Sequence, residues 1–274
     1  MNTLNRLLLA CVLLMSFAIA GFAEELTIPG SGNPEYVLDE LAKAFNAQQS
    51  KHHVTIPSSS GTAGALREVE EGTATLGRVG RPLKPAERER GLSYTALGRD
   101  AVVFVAGAGV TIKNVTRDQV VAAYVGKVTD WRELGGKPGP IRAIGREPTD
   151  ASRQVIDRAI AGFANIQFSD GVKTVHLDPH LIELLDRYPT SLGFLNRSAL
   201  EAARSKLAIL SLDGIAPTPE NLKSGRYSLW LEFGLIYKPG ALTDAGRAFL
   251  RFVQSPEGRR ILQDHGVLPD SASR

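Results

Sequence analysis

The sequence predicts an α/β fold with two lobes. Short apolar runs alternate with segments of helical periodicity along the whole chain, which indicates mostly parallel sheets with helices on both faces. About 250 residues remain after an N-terminal signal is removed, and single cores stop growing near that size. The sequence shows no repeat, low-complexity tract or long linker, so we expect short crossings to join the lobes around a cleft.

The N-terminus predicts export. Arg6 precedes an apolar run, residues 7–20, that ends in small residues, as in a secretory signal with its cleavage site. We expect cleavage after Ala23, with Ala20 as the alternative, and a periplasmic protein. The run is shorter than the roughly 20 apolar residues of a spanning helix. The single cysteine, Cys11, would leave with the signal, and lipid attachment there is disfavoured because almost no apolar run precedes it.

The charge balance argues against a nucleic-acid partner. The chain has 32 Lys and Arg against 29 Asp and Glu, whereas a nucleic-acid binder is expected to show a clustered basic face. The densest basic cluster comprises Arg78, Arg81, Lys84, Arg88 and Arg90, and it is interrupted by Glu87 and Glu89. We interpret it mostly as a solvated loop, with Arg81 kept as a candidate binding residue.

The strands follow from short β-rich apolar runs. In chain order they are residues 26–28, 53–57, 101–106, 141–144, 172–175, 192–195, 207–210 and 229–237. The run at 101–106 is continuously apolar, as expected of a strand that is buried on both faces.

The helices follow from apolar residues at helical spacing and from capping signals. The inward residues of three helices are Val37, Leu38, Leu41 and Phe45, then Ala65, Leu66 and Val69, and, over residues 150–163, Val155, Ile156, Ala159 and Ile160. Asn33 with Pro34 is a predicted helix start, and Thr116 with Gln119 is a capping box that places Val120 and Tyr124 inward. Two helices close the chain, the last between Ser255 and Gly266.

Three loops share one local design. In each, a strand runs into a short polar or glycine-bearing loop that opens a helix, at residues 30–33, 58–62 and 145–152. A helix N-terminus offers unpaired N–H groups and the positive end of its dipole, which together bind anions. Arg146 could add a planar fork of charged donors suited to an oxyanion. Each loop alone is more commonly an ordinary cap, but three with an arginine favour an oxyanion site.

Other chemistry has little support. His176 and His180 flank Asp178, but Pro179 argues against placing both histidines on one helical face, so we predict no metal site. Neither a nucleophile elbow nor a nucleotide phosphate loop occurs in the sequence. We therefore expect no enzyme activity and no cofactor. We expect Trp131 and Trp230 to pack against their lobes.

Residues 110–153 resemble the phosphate-specific substrate-binding proteins of ABC transporters. The stretches that carry the resemblance are residues 116–124, 126–136, 139–141 and 146–147, with 30–32, 59–61 and 80–84 in the first lobe and 191–194 later. The resemblance implies a type II periplasmic-binding-protein fold with the ligand in the cleft between two lobes. We expect residues 24–107 with 222–274 to form lobe 1 and residues 108–221 to form lobe 2.

The resemblance also implies the ligand-binding residues. They fall on Ser31, Gly32, Asn33, Ser59, Ser60, Gly61, Thr62, Arg81, Arg146, Asp150, Ala151 and Ser152. The family usually has Gly-Ser-Gly-Thr after the arginine, and this chain has Thr149-Asp150-Ala151-Ser152. A buried Asp beside a dianion is repelled unless it is paired or protonated.

Three interpretations of Asp150 remain open. It could cap its own helix and point away, which is the default, or it could pair with Arg153 or Arg81. It could also accept a hydrogen bond from a protonated ligand oxygen, which would select phosphate over fully ionised sulfate. Some family members place an acceptor Asp where this chain has Arg81, so the last interpretation amounts to a charge swap between loops.

The leading functional hypothesis is a monomeric binding protein that delivers phosphate to an inner-membrane ABC permease. The alternative is a binding protein or sensor for another small oxyanion, and an extracytoplasmic phosphoesterase is a distant third.

Overall fold

The computed structural model describes residues 24–270, so the predicted signal at 1–23 lies outside the described residues. Within this range the chain folds into helices and strands that alternate, and the predicted α/β class is confirmed. None of the helices in the described range is both long and apolar enough to cross a membrane.

The strand bounds are β1 Glu24–Thr27, β2 His52–Thr55, β3 Gly77–Val79, β4 Ser93–Ala106, β5 Asn114–Val115, β6 Arg142–Arg146, β7 Lys173–Val175, β8 Ser191–Asn196, β9 Ala208–Leu212, β10 Trp230–Tyr237 and β11 Leu268–Pro269. The helix bounds are α1 Glu35–Gln48, α2 Gly61–Glu71, α3 Pro85–Glu89, α4 Arg117–Tyr124, α5 Ala151–Ala159, α6 Asp178–Arg187, α7 Arg197–Ala202, α8 Pro219–Lys223, α9 Asp244–Gln254 and α10 Pro256–Asp264. Two 3₁₀ turns lie at Trp131–Leu134 and Pro239–Ala241.

The strands form a separate parallel pair, β1 with β2, and a nine-stranded sheet whose main path runs β3-β10-β4-β8-β6-β7. The long strand β4 holds this sheet together because it changes partners along its length. Up to Ala101 it pairs with β10, and from Val102 to Ala106 it pairs with β8. The strand β4 therefore connects the part of the sheet that contains β10 with the part that contains β8.

The expectation of mostly parallel sheets was wrong. Among the described strands, β1–β2, β5–β9, β6–β7 and β6–β8 pair parallel, whereas β4 pairs antiparallel with β8, β9, β10 and β11, and β10 pairs antiparallel with β3. Strand-helix alternation predicts the direction only of strands joined by one crossover. The antiparallel partners of β4 come from far along the chain, where alternation carries no information about pairing.

Most predicted helix faces are buried as expected. Val37, Leu38, Leu41 and Phe45 of α1 are in the core, and so are Ala65, Leu66 and Val69 of α2. In α5, Val155 and Ile156 are buried, Ala159 is half-buried, and the helix ends before the buried Ile160.

Two predicted helix starts are confirmed by their caps. The Thr116 side chain accepts from the Gln119 N–H and Gln119 reaches back to the Thr116 N–H, while Ser255 Oγ accepts from the N–H of Gly258. The predicted Asn33 cap was wrong, because α1 begins after Pro34 and the Asn33 side chain bonds elsewhere.

Aromatic side chains fill the core beneath the site. Tyr124 lies against Phe163, Phe168 and Phe194 with ring centroids 5.1–5.7 Å apart, and Phe194 also meets Phe104 of β4. Trp131 is buried as predicted and donates from Nε1 to the Thr190 carbonyl at 2.9 Å. This packing gives β6 and β8 a rigid base.

Candidate functional site

Four loops converge on one cleft. They follow the strands of the two parallel pairs β1/β2 and β6/β7, and each opens a helix: α1, α2, α5 and α6. Their residues line a cavity of about 1110 Å³. Ligands of α/β proteins bind at the carboxyl ends of parallel strands, so the cleft is the candidate binding site.

Most of the predicted site residues meet at this cleft. The ones that line it are Ser31, Gly32, Asn33, Ser59, Gly61, Thr62, Arg81, Arg146, Asp150 and Ala151. Two predicted residues, Ser60 and Ser152, do not line the cleft. Ser60 is exposed and its hydroxyl lies 3.4 Å from Glu68, whereas Ser152 is buried behind the wall and accepts a hydrogen bond from Asn33.

Arg78 is the scaffold of the first wall, and its assignment to a solvated loop was wrong. Its side chain is completely buried and donates to the carbonyls of Ile28, Ser31 and Pro57. Its Nη2 also lies 3.0 Å from a carboxylate oxygen of Glu35. One guanidinium thus ties together the loops after β1 and β2.

Burial affects both members of this ion pair. Desolvation lowers the pKa of Arg78, although the charge of Glu35 acts to raise it. Desolvation likewise raises the pKa of Glu35, and the nearby Arg78 only partly offsets it. The sequence signal that distinguishes Arg78 is its position between Leu76 and Val79, before the charged segment that begins at Arg81.

The first loop depends on Gly30. Its φ is +138°, and a Cβ there would lie 2.0 Å from the carbonyl oxygen of Arg78. The Gly30 carbonyl accepts from the N–H groups of Ser60 and Gly61 at 3.0 and 3.1 Å and from Ser59 Oγ at 3.2 Å. A side chain at this position would therefore push the first loop away from β3.

Arg81 lies at the cleft edge in a forked ion pair. Its two terminal nitrogens are 2.8 and 2.7 Å from the carboxylate oxygens of Glu87. The hydrogen bonds from Arg81 lower the pKa of Glu87 to about 2 although burial opposes this. The charge of Arg81 is therefore already compensated from its own side of the cleft.

Arg146 is the buried cation of the opposite wall. Its Nη2 donates to Asp150 Oδ2 at 2.7 Å and to the His176 carbonyl at 3.0 Å, and its Nη1 donates to Asp178 Oδ1. Burial acts to lower the pKa of Arg146, but the charges of Asp178 and Asp150 outweigh it and raise the pKa. The guanidinium therefore stays charged and fixed in position.

Asp150 has two roles within the protein. Its Oδ1 accepts from the backbone N–H of Arg153 at 2.9 Å, which confirms the helix cap, although the residue lines the cleft and does not point away. Its Oδ2 pairs with Arg146, and not with the side chains of Arg153 or Arg81 as one alternative had it. Burial, followed by repulsion from Asp178, raises the pKa of Asp150 to about 6.

Sequence reasoning missed Asp178, the first residue of α6. It lies in the fourth loop, after β7, and reaches Arg146 from a position 32 residues along the chain. Sequence reasoning predicted no helix at 178–187, although a proline in the first turn is a common helix start. The run Asp-Pro followed by apolar residues at helical spacing was the available signal.

A buried polar network links the two walls. Asn33 donates to Ser152 Oγ at 2.8 Å and to Asn196 Oδ1 at 3.4 Å, and Asn196 donates back to the Asn33 carbonyl at 2.7 Å. Asn196 also reaches Asp100, which accepts from Ser198 as well. Complete burial raises the pKa of Asp100 to about 6 despite these hydrogen bonds.

Among residues 24–270, no group of three or more His, Cys, Asp and Glu side chains is arranged to hold a metal ion. Trp230, predicted to pack against its lobe, is half-buried at the cleft with the Arg99 guanidinium 4.5 Å from its ring centroid. The site is therefore a cleft of fixed cations, carboxylates and hydroxyls.

Sequence comparisons relate the chain to a family of known proteins. The sequence model of a family described as PBP superfamily domain matches residues 19–257. The phosphate-binding protein PstS of Bacillus subtilis is 25% identical over 251 residues, which cover 89% of this chain and 80% of the relative. PstS of Borreliella burgdorferi is 23% identical over 252 residues, which cover 89% of each chain.

Solved structures show the same fold. A candidate phosphate ABC transporter substrate-binding protein from Clostridium perfringens, crystallised with bound phosphate, superposes with a TM-score of 0.78. The superposition covers 90% of this chain and 100% of that one, at 24% identity. An ABC-type phosphate transport receptor from Vibrio cholerae covers 89% of this chain and 99% of its own, with a TM-score of 0.64 and 20% identity.

Proposed function

The chain belongs to the PBP superfamily, and from that premise we propose that it is an extracytoplasmic solute-binding protein that captures phosphate in the cleft. The observation that carries the proposal is the fixed, buried guanidinium of Arg146 at the point where four strand-to-helix loops converge. A charged fork of donors beside helix N-termini suits a tetrahedral oxyanion. The names of the two PstS relatives support phosphate as that anion.

The ligand contacts we propose are those of the three predicted loops. Ser31, Gly32 and Asn33 would contact the anion from one side, with Ser59, Gly61 and Thr62 beside them. From the other side, Arg146 and the start of α5, at Asp150 and Ala151, would contact it. Arg81 lies at the rim, where its pairing with Glu87 leaves it a smaller share of the binding energy.

We also propose the two lobes, residues 24–107 with 222–274 and residues 108–221. The change of β4 partners between Ala101 and Val102 supports a crossing near the first boundary. A ligand contacted by both lobes favours the closed arrangement by its difference in affinity for the two states.

The same proposal includes the cellular context. We propose a periplasmic protein, exported through the signal at residues 1–23, that acts as a monomer and delivers phosphate to an inner-membrane ABC permease. The similar protein from Clostridium perfringens is a candidate ABC transporter component, which supports this partner. Binding without catalysis is expected, and no cofactor is required for it.

Calorimetric titration of the purified protein with phosphate, sulfate, arsenate and molybdate tests the proposal. We expect saturable heat with phosphate. Arg146→Gln should weaken phosphate binding by about 30-fold or more, because a buried charged contact is removed. Arg67→Gln, on the exposed face of α2, is the matched control and should bind as the wild type does.

The outcomes separate the alternatives. No heat with any of the four anions would refute oxyanion capture. Heat with molybdate or sulfate alone would favour a binding protein or sensor for another oxyanion. Hydrolysis of a generic phosphoester by the purified protein would favour the phosphoesterase.

A further inference from the structure

The cleft continues well beyond the proposed phosphate site. Its volume is about 1110 Å³, and cavities of about 300–1,000 Å³ hold drug-sized ligands. A single tetrahedral anion would fill only a small part of this space. The two walls are already in contact, because Asn33 donates to Ser152 Oγ across the base of the cleft at 2.8 Å. The remaining volume therefore belongs to the cleft with its walls joined.

Helix α5 leads from the phosphate site into this remaining space. Ala151, Val155 and Ala159 are each four residues apart, which places them along one face of the helix, and all three line the cleft. Ala151 is at the end where Arg146 lies. Ala159 is about 12 Å further along the helix axis. A ligand that starts at Arg146 therefore has room to extend along α5.

Apolar side chains surround the far part of the cleft. Leu66 of α2 and Leu231 of β10 are buried and line it together with Val155 and Ala159 of α5, which packs against β10. Trp230 lines the same part and is half-buried. We call the space between these five residues the apolar chamber. Indole rings and aliphatic side chains pack favourably against an aromatic or apolar group.

The charges beside the chamber favour an anionic ligand. Lys84 and Arg158 line the cleft and are exposed, and neither forms an ion pair with another of the described residues. Glu232 lines the cleft as well, whereas Glu87 is already paired with Arg81. The excess of positive charge attracts an anion that carries an apolar group more than it attracts a neutral apolar molecule.

We propose that the apolar chamber is a subsite for the organic substituent of a phosphate monoester whose phosphoryl group is held at Arg146. This inference rests on the proposed capture of phosphate and extends the ligand class from inorganic phosphate to its monoesters. The esterified oxygen would point along α5 toward Trp230, while the other oxygens keep the contacts of the anion site. The ester is bound without any bond being made or broken.

Binding of para-nitrophenyl phosphate tests the subsite in the wild-type protein. We expect calorimetry to give an affinity within about tenfold of that for inorganic phosphate, because contacts in the chamber offset the loss of one free oxygen. Inorganic phosphate should displace the ester, and para-nitrophenol alone should not bind. The chain has two tryptophans, of which Trp131 is buried, so quenching of fluorescence by the nitrophenyl group reports on Trp230.

Two variants change the chamber and leave the anion site intact. Trp230→Ala removes the indole, and Ala159→Phe fills the chamber from α5. Each should weaken binding of para-nitrophenyl phosphate by about fivefold or more and change binding of inorganic phosphate by less than about twofold. Ala86→Phe is the matched control, because Ala86 of α3 is exposed and does not line the cleft. Thermal unfolding checks that each variant is folded, and Ala159→Phe keeps the test decisive if Trp230→Ala does not fold.

The failure of this inference differs from the failure of the proposed function. Binding of phosphate without binding of the ester would overturn the subsite and leave phosphate capture standing. Equal losses for both ligands in Ala159→Phe, or ester binding that phosphate does not displace, would also overturn it. Absence of heat with phosphate as well as with the ester would refute the proposed function itself.

Discussion

Asn33 Nδ2 donates to Ser152 Oγ at 2.8 Å, across 119 residues of chain. This bond joins the loop after β1 to the first turn of α5, so it links the two walls of the cleft directly. Both side chains are buried, and Asn33 also shares hydrogen bonds with Asn196. The candidate site is therefore held at its base by side chains that sequence reasoning had assigned to the ligand.

Replacing Asn33 should destabilise the fold. Asn33→Ala leaves Ser152 Oγ and Asn196 Oδ1 without their buried donor, which costs about 1–3 kcal/mol of unfolding free energy. Urea denaturation measures the change. Ser60→Ala, at an exposed hydroxyl on the neighbouring loop, is the control and should change stability by less than about 0.5 kcal/mol. Equal effects of the two changes would contradict the role of the link.

Gly30→Ala should be among the most damaging single changes in the first wall. The new Cβ would meet the Arg78 carbonyl oxygen at 2.0 Å, in a backbone conformation at φ +138° that disfavours side chains. Backbone strain alone costs about 1–3 kcal/mol, and the clash adds to it. Denaturant unfolding measures the loss. Gly240→Ala, where a Cβ meets nothing within 4 Å, should be close to neutral.

Removing the Arg78 guanidinium should cost about 3–5 kcal/mol of stability. Arg78→Met keeps the length of the side chain but leaves the Glu35 carboxylate and three carbonyl groups without their shared donor. Urea denaturation compares it with Arg67→Met on the exposed face of α2, which we expect to be nearly neutral. A loss below about 1 kcal/mol in Arg78→Met would show that the loops hold their positions without it.

Asp100 should make stability depend on pH. Its pKa is raised from 3.8 to about 6 in the folded protein, so the folded state binds the proton more tightly than the unfolded state does. The resulting stabilisation is present in full below about pH 4 and is lost as pH rises through about 6. Relative to Asp100→Asn, the wild type should therefore gain up to about 3 kcal/mol between pH 7 and pH 4. Urea denaturation across this range measures it, and a constant difference would contradict the prediction.

The local features of the fold were available from the sequence. The cap at Thr116, the cap at Ser255 and the buried face of α1 each depend on residues a few positions apart, so their physical chemistry is contained in a short segment. The same holds for Asp150 as a cap, which needed only the N–H of Arg153 three residues later.

The direction of the strands and the structural role of Arg78 could not be predicted from short segments of sequence. Strand β10 inserts between β3 and β4 although it lies far along the chain, and no local pattern specifies that pairing. Arg78 was assigned to a solvated loop from its charged neighbours. Its burial is decided by the carbonyl groups of three other segments, which converge only in the folded chain.

The sequence by itself determined the α/β class and the loop that carries Arg146, because these depend on periodicity and short-range capping. Only the tertiary structure decided which partners surround that arginine. It brings Asp178 from α6 to the guanidinium and turns Asn33 toward Ser152 instead of its own helix. The reason is physical: buried charges and polar groups take whichever partners the packed strands bring within reach, and those partners lie far apart in the chain.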